Sequence, residues 1–333
     1  MPRLAIIGLG LIGASLGLAV KRAALESLEV VGHDVEFGVN GKARKLGAID
    51  REARHPAQAV EGAALVVVAV PVLQMRTVFE QIAPALAEGA VVTDTASTKR
   101  DVLRWAAELL PDTVEFVGGH PIAGKETSGV EAADATLFDG RPWAITPGTD
   151  TSERAIKTVE NLAALVGARP VLIDAEEHDS YLAAVSHLPL IAATALLSLA
   201  SGSQAWPELS NLAGPGFRDT TRLASTSPDL SHDISLTNRD HLLHWLDRYV
   251  DELRRLRGLI ADDESREQLI EAFAKAQTDR DAYLAGPAPR GPQADIGSMG
   301  ERMMAFMVGE YVVRRTKEVQ ELMEKRERGE DVD

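Results

Sequence analysis

The strongest constraint on the fold is a glycine-rich stretch near the N-terminus, where residues 8–13 read G-L-G-L-I-G. This stretch directly follows the apolar run 4–7, and apolar residues continue after it at helical spacing. A strand, a G-x-G-x-x-G turn and a helix in this order predict the first unit of a dinucleotide-binding sheet. Gly8 permits the tight turn, Gly10 lets backbone N–H groups approach a pyrophosphate, and Gly13 lets helix and strand pack closely.

A second apolar run, residues 29–33, ends in Asp34, near the spacing expected for the acid that binds the ribose. A carboxylate there accepts from the ribose hydroxyls and repels a 2′-phosphate, so the sequence favours NAD over NADP. The alternative is that Asp34 only caps the next segment. Pro71 closes a later run at the edge where the nicotinamide ribose would lie. The predicted cofactor-binding residues are Gly8, Leu9, Gly10, Leu11, Ile12, Gly13, Asp34, Val70 and Pro71.

Apolar runs alternate with helical patterns through the first half of the chain, and strand patterns stop after residue 174. Continuous apolar strands separated by helices predict a doubly wound parallel sheet that is covered on both faces. We therefore predict an α/β chain with a Rossmann-type domain over residues 1–174. An all-α domain for substrate binding and dimerisation follows over residues 175–286, and a linker and last helix occupy residues 287–333. The predicted strands lie at residues 4–7, 29–33, 65–70, 90–93, 114–117, 143–147 and 170–173.

Composition narrows the classes of function. The chain has 333 residues, a formal net charge of −15 and a pI near 5.0. This acidity argues against a nucleic-acid partner, because phosphate binding needs a basic surface. The chain has no cysteine, which excludes disulfides, thiolate catalysis and Cys-ligated zinc, and no metal is expected. The apolar run after Arg3 resembles a signal peptide, but four glycines interrupt it. We expect no other segment to be long and apolar enough to span a bilayer.

A histidine follows the predicted strand 114–117, in the sequence Gly-Gly-His-Pro at residues 118–121. Ligands of open α/β sheets lie at the carboxyl ends of the strands, so His120 is placed for proton transfer. The alternative is a turn histidine with a purely structural hydrogen bond. Hydroxyls and a lysine follow the neighbouring strand at residues 94–99. Ser97 is therefore a candidate to orient the imidazole or a substrate hydroxyl, unless the segment is only a helix N-cap.

The helical half carries three further candidates. His187 precedes Pro189, which should kink or restart its helix, and a histidine beside a kink is more often structural than a ligand. Arg218 and Arg222 are four positions apart and share a face if the segment is helical. They could be a solvated surface pair. In so acidic a chain, however, an anionic substrate is repelled at long range, so its carboxylates need arginines held close in bidentate geometry.

Together these residues resemble the prephenate/arogenate dehydrogenase family of tyrosine biosynthesis over about residues 1–285. The resemblance implies an NAD-dependent oxidative decarboxylation of a cyclohexadienyl acid by a cytoplasmic enzyme. It also implies a homodimer formed through the helical domain, without a membrane partner. The segment after residue 286 is too short and too helical for the regulatory ACT domain of many relatives. The resemblance rests on residues 8–13, 94–99, 119–124, 178–179 with 185–189, and 216–219 with 221–222.

The resemblance also implies roles for individual residues. His120 accepts the proton of the ring C4 hydroxyl while C4 gives a hydride to NAD, and loss of the ring carboxylate as carbon dioxide makes the ring aromatic. Ser97 hydrogen-bonds the same hydroxyl and the histidine. Arg222 binds a substrate carboxylate, with Arg218 nearby, and His187 lines the pocket.

Lys125 and Glu126, which follow His120 along the chain, bear on substrate selectivity. The resemblance implies that Glu126 sits at the mouth of the pocket and gates it. Lys125 stands where relatives often have a small or hydroxyl side chain, and it could pair with the keto-acid carboxylate of the substrate or with Glu126. Leu190 replaces a histidine that is frequent in relatives.

Several alternatives to a prephenate dehydrogenase remain open from the sequence. Arogenate differs from prephenate only by an amino group in place of the keto group. No motif in this sequence distinguishes between the two groups. A β-hydroxyacid dehydrogenase or an imine reductase shares both halves of the architecture, but would use a proton donor on the helices of the second domain. A non-catalytic NAD-sensing module would leave the convergence of His120, Ser97 and the arginines unexplained.

Overall fold

The computed structural model describes residues 2–23, 28–125 and 127–286. The predicted linker and last helix at residues 287–333 and the candidate Glu126 lie outside the described residues. The strands are β1 (Arg3–Ile7), β2 (Glu29–His33), β3 (Arg51–Glu52), β4 (Leu65–Val68), β5 (Val91–Asp94), β6 (Glu115–Pro121), β7 (Pro142–Pro147) and β8 (Arg169–Leu172). They form one eight-stranded sheet with the spatial order β3-β2-β1-β4-β5-β6-β7-β8.

Helices cover both faces of this sheet, as the continuous apolar strands predict. Within β4, Leu65 and Val67 belong to one hydrophobic core, and Val66 and Val68 belong to the core on the other face. All four side chains are buried, which is why the strand reads as an unbroken apolar run. The helices of this half are α1 (Leu11–Arg22), α2 (Val39–Lys45), α3 (Pro56–Val60), α4 (Met75–Ile82), α5 (Arg100–Leu109) and α6 (Glu153–Leu165).

The sheet is mostly parallel, as predicted, and one pair of strands departs from the parallel arrangement. Strand β7 runs antiparallel to β6, with His120 opposite Ala144. The described residues of the connection 122–141 contain one short 3₁₀ turn, Val130–Ala132, and no crossover helix. A parallel neighbour requires such a crossover, whereas an antiparallel strand can return through a loop. Strand β6 is also longer than predicted, so that His120 lies within the strand and not beyond its end.

Every element described after β8 is helical. The chain continues through α7 (Ala175–Leu182), a π-helical turn (Ala183–His187) and α8 (Leu188–Ser201). Pro189 is the second residue of α8, which directly follows the π-helical turn, as expected for a proline that disturbs the regular helix. The remaining elements are α9 (Trp206–Leu212), α10 (Pro215–Thr221), a 3₁₀ turn (Arg222–Ser225), α11 (Pro228–Thr237), α12 (Arg239–Ala261) and α13 (Arg266–Ala285).

One helical run departs from the expectation about membrane-spanning segments. Because the π-helical turn carries the helix on through Pro189, residues Ala175–Ser201 form a run of 27 residues with a mean hydropathy of 1.9. By length and composition this run could cross a bilayer, so the expectation that no such segment exists is wrong on those two criteria. The run also carries buried polar side chains that bind the sheet domain, including Asp179. Core helices of folded domains meet the same two criteria.

The packing of α1 can be tested with two helical glycines. A Cβ added at Gly17 in α1 would lie 2.2 Å from the carbonyl oxygen of Ala48, whereas a Cβ at Gly41 in α2 would meet no atom within 4 Å. We expect Gly17→Ala to lower the free energy of unfolding by about 1–3 kcal/mol, because the helix must move away from Ala48. Gly41→Ala should raise it by up to about 1 kcal/mol through helix propensity. Urea unfolding measures both; equal stability of the Gly17→Ala and wild-type proteins would contradict this packing.

Candidate active site

The glycine turn between β1 and α1 has the geometry that its sequence predicts. Gly8 has φ +91°, and its N–H donates to the carbonyl oxygen of His33 at 2.8 Å. A Cβ at Gly8 would lie 2.4 Å from the oxygen of Ala69, and a Cβ at Gly13 would lie 1.9 Å from the oxygen of Gly8. Beside Gly10, in contrast, there is open space at the N-terminus of α1, which has no side-chain cap. An anion can therefore reach the free N–H groups of the first turn.

Asp34 lies at the end of β2, beside this turn. Its Oδ2 accepts from the backbone N–H of Leu9 at 2.7 Å, and its Oδ1 accepts from that of Glu36 at 2.8 Å. The adjoining cavity has a volume of about 1050 Å³. Leu11 and Ile12 do not line it and pack against the hydrophobic core instead. The predicted residues that share this cavity are Gly8, Gly10, Asp34, Val70 and Pro71. They fit a dinucleotide whose ribose hydroxyls are free.

The cavity has further lining residues that the sequence did not indicate. Phe37 is fully exposed, and Arg54, His55 and Gln74 also face the cavity. A single sequence holds no signal for them, because they belong to different loops and helices that only the folded sheet brings together. The exposed aromatic ring of Phe37 is a surface on which a planar base can stack.

His120 lies at the carboxyl edge of the sheet. Val67, Thr93 and Val117 are paired side by side on β4, β5 and β6. His120 is three residues beyond Val117, as Val70 of the cavity is three residues beyond Val67. With neighbouring strands about 4.8 Å apart, the two positions lie about 10 Å apart across the sheet. His120 is therefore on the same edge as the dinucleotide cavity.

The glycine before His120 is required by packing and not by a turn. A Cβ at Gly119 would lie 2.6 Å from the backbone oxygen of Asp94 and 3.0 Å from Nε1 of Trp143. The N–H of Gly119 donates to the Asp94 carboxylate at 3.0 Å, and its carbonyl accepts from Nζ of Lys99 at 2.7 Å. Lys99 is fully buried and also forms an ion pair with Asp94. These contacts fix the backbone that carries the His120 ring.

The imidazole of His120 is the first member of a buried chain of side chains. Its Nδ1 lies 2.9 Å from Nε2 of His178, and Nδ1 of His178 lies 2.8 Å from Oδ1 of Asp179. The Asp179 carboxylate also accepts from the backbone N–H groups of Lys99 at 2.7 Å and Arg100 at 2.9 Å. These two residues lie at the start of α5, so the hydrogen-bonded side chains join the helical domain to the sheet. No described residue hydrogen-bonds Nε2 of His120.

Burial and hydrogen bonding set the protonation states of His120 and Asp179. Burial lowers the pKa of His120 well below its usual 6.5, and the nearby His178, Lys99 and His187 add to that effect. Burial alone would raise the pKa of Asp179, but the hydrogen bonds from His178 and from two backbone N–H groups outweigh it, so that its pKa is below the usual value. At neutral pH the structure therefore holds a neutral His120 and an ionised Asp179.

His187 ends the π-helical turn and is 1% exposed. The side-chain nitrogen of Asn238 donates to the carbonyl oxygen of Asp179 at 2.7 Å, which fixes the orientation of the amide. The same nitrogen lies 3.0 Å from Nδ1 of His187, so Nδ1 accepts and the proton of the neutral ring is on Nε2. This Nε2 is buried and has no partner among the described residues. Burial lowers the pKa of His187 to about 4.

The other predicted site residues are more exposed. Ser97 is half-buried in the loop after β5, and no hydrogen bond joins it to His120 in the described structure. Arg218 in α10 and Arg222 in the 3₁₀ turn after it are exposed, on a continuous helical segment that packs against α8. Lys125 donates to Oδ2 of Asp134 at 2.8 Å. The structure thus assembles His120 with His187 at one buried centre, and leaves the arginines at the surface.

Sequence reasoning did not select His178, Asp179 or Asn238 as site residues. The adjacent pair His178 and Asp179 is part of one of the motifs that carry the family resemblance. Its contact with His120, however, joins residues 58 positions apart. The signal available in the sequence was a histidine directly beside an aspartate, a pair that burial makes costly unless it is hydrogen-bonded.

Comparison with known proteins gives a consistent result. Residues 16–172 match the family model described as "Prephenate dehydrogenase, nucleotide-binding domain". Residues 174–275 match "Prephenate dehydrogenase, dimerization domain". The chain is 36% identical over 278 residues to the prephenate dehydrogenase of Bacillus subtilis, an alignment that covers 83% of this chain and 74% of that protein.

Solved structures agree with the sequence comparisons. The prephenate dehydrogenase of Aquifex aeolicus, in complex with hydroxyphenyl propionate and NAD+, has a TM-score of 0.79 and 30% identity, over 85% of this chain and 98% of that one. The arogenate dehydrogenase of Synechocystis has a TM-score of 0.73 and 28% identity, over 84% of this chain and 99% of that one.

Proposed function

Because the chain belongs to the prephenate dehydrogenase family, we propose that it converts prephenate to 4-hydroxyphenylpyruvate by NAD-dependent oxidative decarboxylation, a step in tyrosine biosynthesis. One observation carries this proposal. The buried His120 ring has one nitrogen held by His178 and leaves the other without a described partner, at the sheet edge that also forms the dinucleotide cavity. A neutral imidazole so placed is a general base beside a hydride acceptor.

His120 removes one proton in the proposed reaction. Its unpaired Nε2 accepts the proton of the C4 hydroxyl of the ring, so that this carbon becomes a carbonyl carbon as it loses its hydride. NAD, held by the glycine turn and Asp34, supplies the hydride acceptor. The bond to the ring carboxylate then breaks and carbon dioxide leaves. The electron pair of that bond passes through the ring to the C4 oxygen, which takes the proton back from His120 and becomes the phenol hydroxyl. Because the product is aromatic, the protein needs only to position the reactants, take the proton and hold the carboxylates.

The remaining candidate residues bind the substrate in this proposal. Arg222, with Arg218 beside it on the same helical segment, captures a carboxylate. The buried Nε2–H of His187 donates to an oxygen of the substrate, which satisfies a group that has no partner among the described residues. Ser97 hydrogen-bonds the C4 hydroxyl, and its half-buried position leaves its own hydroxyl free to rotate toward that oxygen.

Arogenate is the second candidate substrate, favoured by the similarity to the Synechocystis arogenate dehydrogenase. The two substrates differ at the side chain, where we propose that Lys125 and Glu126 act. Lys125 is held by Asp134, whose backbone N–H in turn donates to Ser15 of α1 at 2.9 Å. A lysine that is ion-paired in this way distinguishes a keto group from an ammonium group less sharply than a lysine without such a partner would.

We also propose that the enzyme is a cytoplasmic homodimer. The matched dimerisation region supports this assembly, and so do large apolar side chains that one copy leaves exposed on its helices. These include Leu199, Leu212, Ile260 and Ile270. A second copy placed over them would bury them and would also cover the apolar helical run Ala175–Ser201.

Formation of NADH with prephenate and with arogenate, measured side by side and each repeated with NADP, tests the proposed function. We expect turnover of prephenate with NAD, release of one carbon dioxide per NADH, and a kcat/KM at least about tenfold lower with NADP because Asp34 repels its 2′-phosphate. A higher kcat/KM for arogenate would assign the second substrate. Turnover of neither compound would contradict the proposal.

The role of His120 is tested by His120→Asn. The amide keeps a polar side chain in the same place but cannot take a proton at neutral pH. Since a positioned base contributes roughly 10²–10⁴-fold, we expect kcat to fall by about that factor while the Kd for NAD changes little. Initial rates and cofactor titration by fluorescence measure the two quantities. A variant with near-normal kcat would remove His120 from the role of base.

Arg222→Ala tests the carboxylate clamp. Loss of a charge-assisted hydrogen bond should raise the KM for prephenate by about tenfold to 100-fold, with kcat within a few-fold of wild type. Arg254→Ala, an exposed arginine of α12, is the matched control and should change neither constant. If Arg222→Ala leaves KM unchanged, Arg222 does not bind the carboxylate, and Arg218→Ala becomes the variant to measure.

A further inference from the structure

We propose that His178 and Asp179 act as positioning residues that fix the tautomer of His120, with the proton on Nδ1 and with Nε2 left as the base. This inference rests on the proposed function of His120, and it assigns a role to two buried side chains beyond the substrate and cofactor sites. It follows from the directions in which the successive hydrogen bonds must run.

Asp179 sets the direction of the hydrogen bonds in this chain of side chains, because an ionised carboxylate can only accept hydrogen bonds. Its two oxygens already accept from the backbone N–H groups of Lys99 and Arg100, and those donors cannot be reversed. The short contact of 2.8 Å from Oδ1 to Nδ1 of His178 therefore requires a proton on that nitrogen. Asp179 is thus a fixed acceptor, and the tautomer of a neutral His178 ring follows from it.

A neutral His178 with its proton on Nδ1 has a lone pair on Nε2. The partner of this lone pair is Nδ1 of His120, at 2.9 Å, which must carry the proton of that hydrogen bond. A neutral His120 has only one ring proton, so its Nε2 is left unprotonated. The chain Asp179–His178–His120 therefore delivers a base on the nitrogen that has no described partner.

The surroundings favour the same arrangement after the proton transfer. When Nε2 of His120 takes a proton, the ring becomes cationic while its Nδ1–H still donates to His178. His178 relays the interaction to the anionic Asp179 without releasing a proton of its own. The other charged groups nearby are Lys99 and Asp94, which are paired with each other. His178 is 0% exposed and Asp179 is 1% exposed, so water does not compete for these hydrogen bonds.

The His187 ring has the opposite tautomer, because Asn238 donates to its Nδ1 and the ring proton is therefore on Nε2. The two buried histidines would then offer a substrate one acceptor, on His120, and one donor, on His187. This division allows a single hydroxyl-bearing ring to be deprotonated at one atom and held at another.

Two substitutions at His178 separate positioning from packing. In His178→Gln, the amide oxygen can reach the former position of Nε2 and accept from His120. In His178→Phe, a ring fills the same volume but no acceptor remains. His241→Phe is the control, because His241 is a partly buried histidine beside Glu176 at 3.0 Å and outside this chain of side chains. Thermal unfolding of each variant verifies folding before the kinetics are measured.

We expect His178→Gln to keep kcat within about tenfold of wild type and His178→Phe to lower it by roughly 10²–10³-fold, within the range of a positioned base. The KM for prephenate should change by less than about threefold in both, because neither variant touches the carboxylate clamp. His241→Phe should match wild type. Equal kcat values for His178→Phe and His178→Gln would overturn the proposal.

The tautomers can also be observed without turnover. Long-range ¹H–¹⁵N correlation spectra of ¹⁵N-histidine-labelled protein, assigned with the His120→Asn and His178→Gln variants, report which ring nitrogens carry protons. We expect a proton on Nδ1 and none on Nε2 for His120 in the wild-type protein. A proton on Nε2 of His120, or protons on both nitrogens of His178, would overturn the proposal. The spectra need no substrate. A failure of prephenate turnover would therefore contradict the proposed function without changing the tautomer that the spectra assign.

Discussion

The rest of the site depends on the carboxylate of Asp179. It belongs to the helical domain, yet it accepts from two backbone N–H groups at the start of α5 in the sheet domain and from the ring of His178. An anion at a helix N-terminus is favoured by the free N–H groups and by the helix dipole. This one group therefore holds the two domains together at the point where His120 meets His178. Without it, burial of the two rings would leave polar atoms unpaired.

Burial gives this arrangement its chemical use. A histidine in water is partly protonated near neutral pH, whereas the pKa of His120 is held well below 6.5, so the ring is available as a base. The same burial makes every unsatisfied polar atom costly, by about 1–3 kcal/mol, and almost all polar atoms of the cluster are paired. Among the described residues of this cluster, the buried side-chain atoms without a partner are Oδ1 of Asn238 and Nε2 of His187, and the second of these is a donor. A substrate oxygen would complete it. Hydrogen bonds thus fix the ring of His120, whereas the N–H of His187 still needs an acceptor, which a ligand would supply.

Sequence reasoning predicted the parts of the fold that local patterns determine. The glycine turn at residues 8–13, the buried strands and the change to helices after β8 follow from spacing and composition, and the structure has them. The antiparallel pairing of β7 was not predicted. It depends on the absence of a crossover helix from the described residues of the connection 122–141. The contact between His120 and His178 was missed because no local pattern joins residues 58 positions apart. Leu11 and Ile12 were predicted beside the cofactor from the motif alone; their side chains are partly buried against the core, and their backbone N–H groups belong to the first turn of α1.

The central claim is that His120 acts as a buried, neutral base, and the pH dependence of kcat/KM for the wild-type enzyme tests it most directly. Only the unprotonated ring can accept the substrate proton, so kcat/KM falls as pH drops through the pKa of His120 in the free enzyme. Burial, aided by His178, Lys99 and His187, lowers that pKa, so we expect a constant kcat/KM from neutral pH down through 6.5 and a decrease only at lower pH. A half-maximal kcat/KM at or above pH 6.5 on the acid side would contradict it.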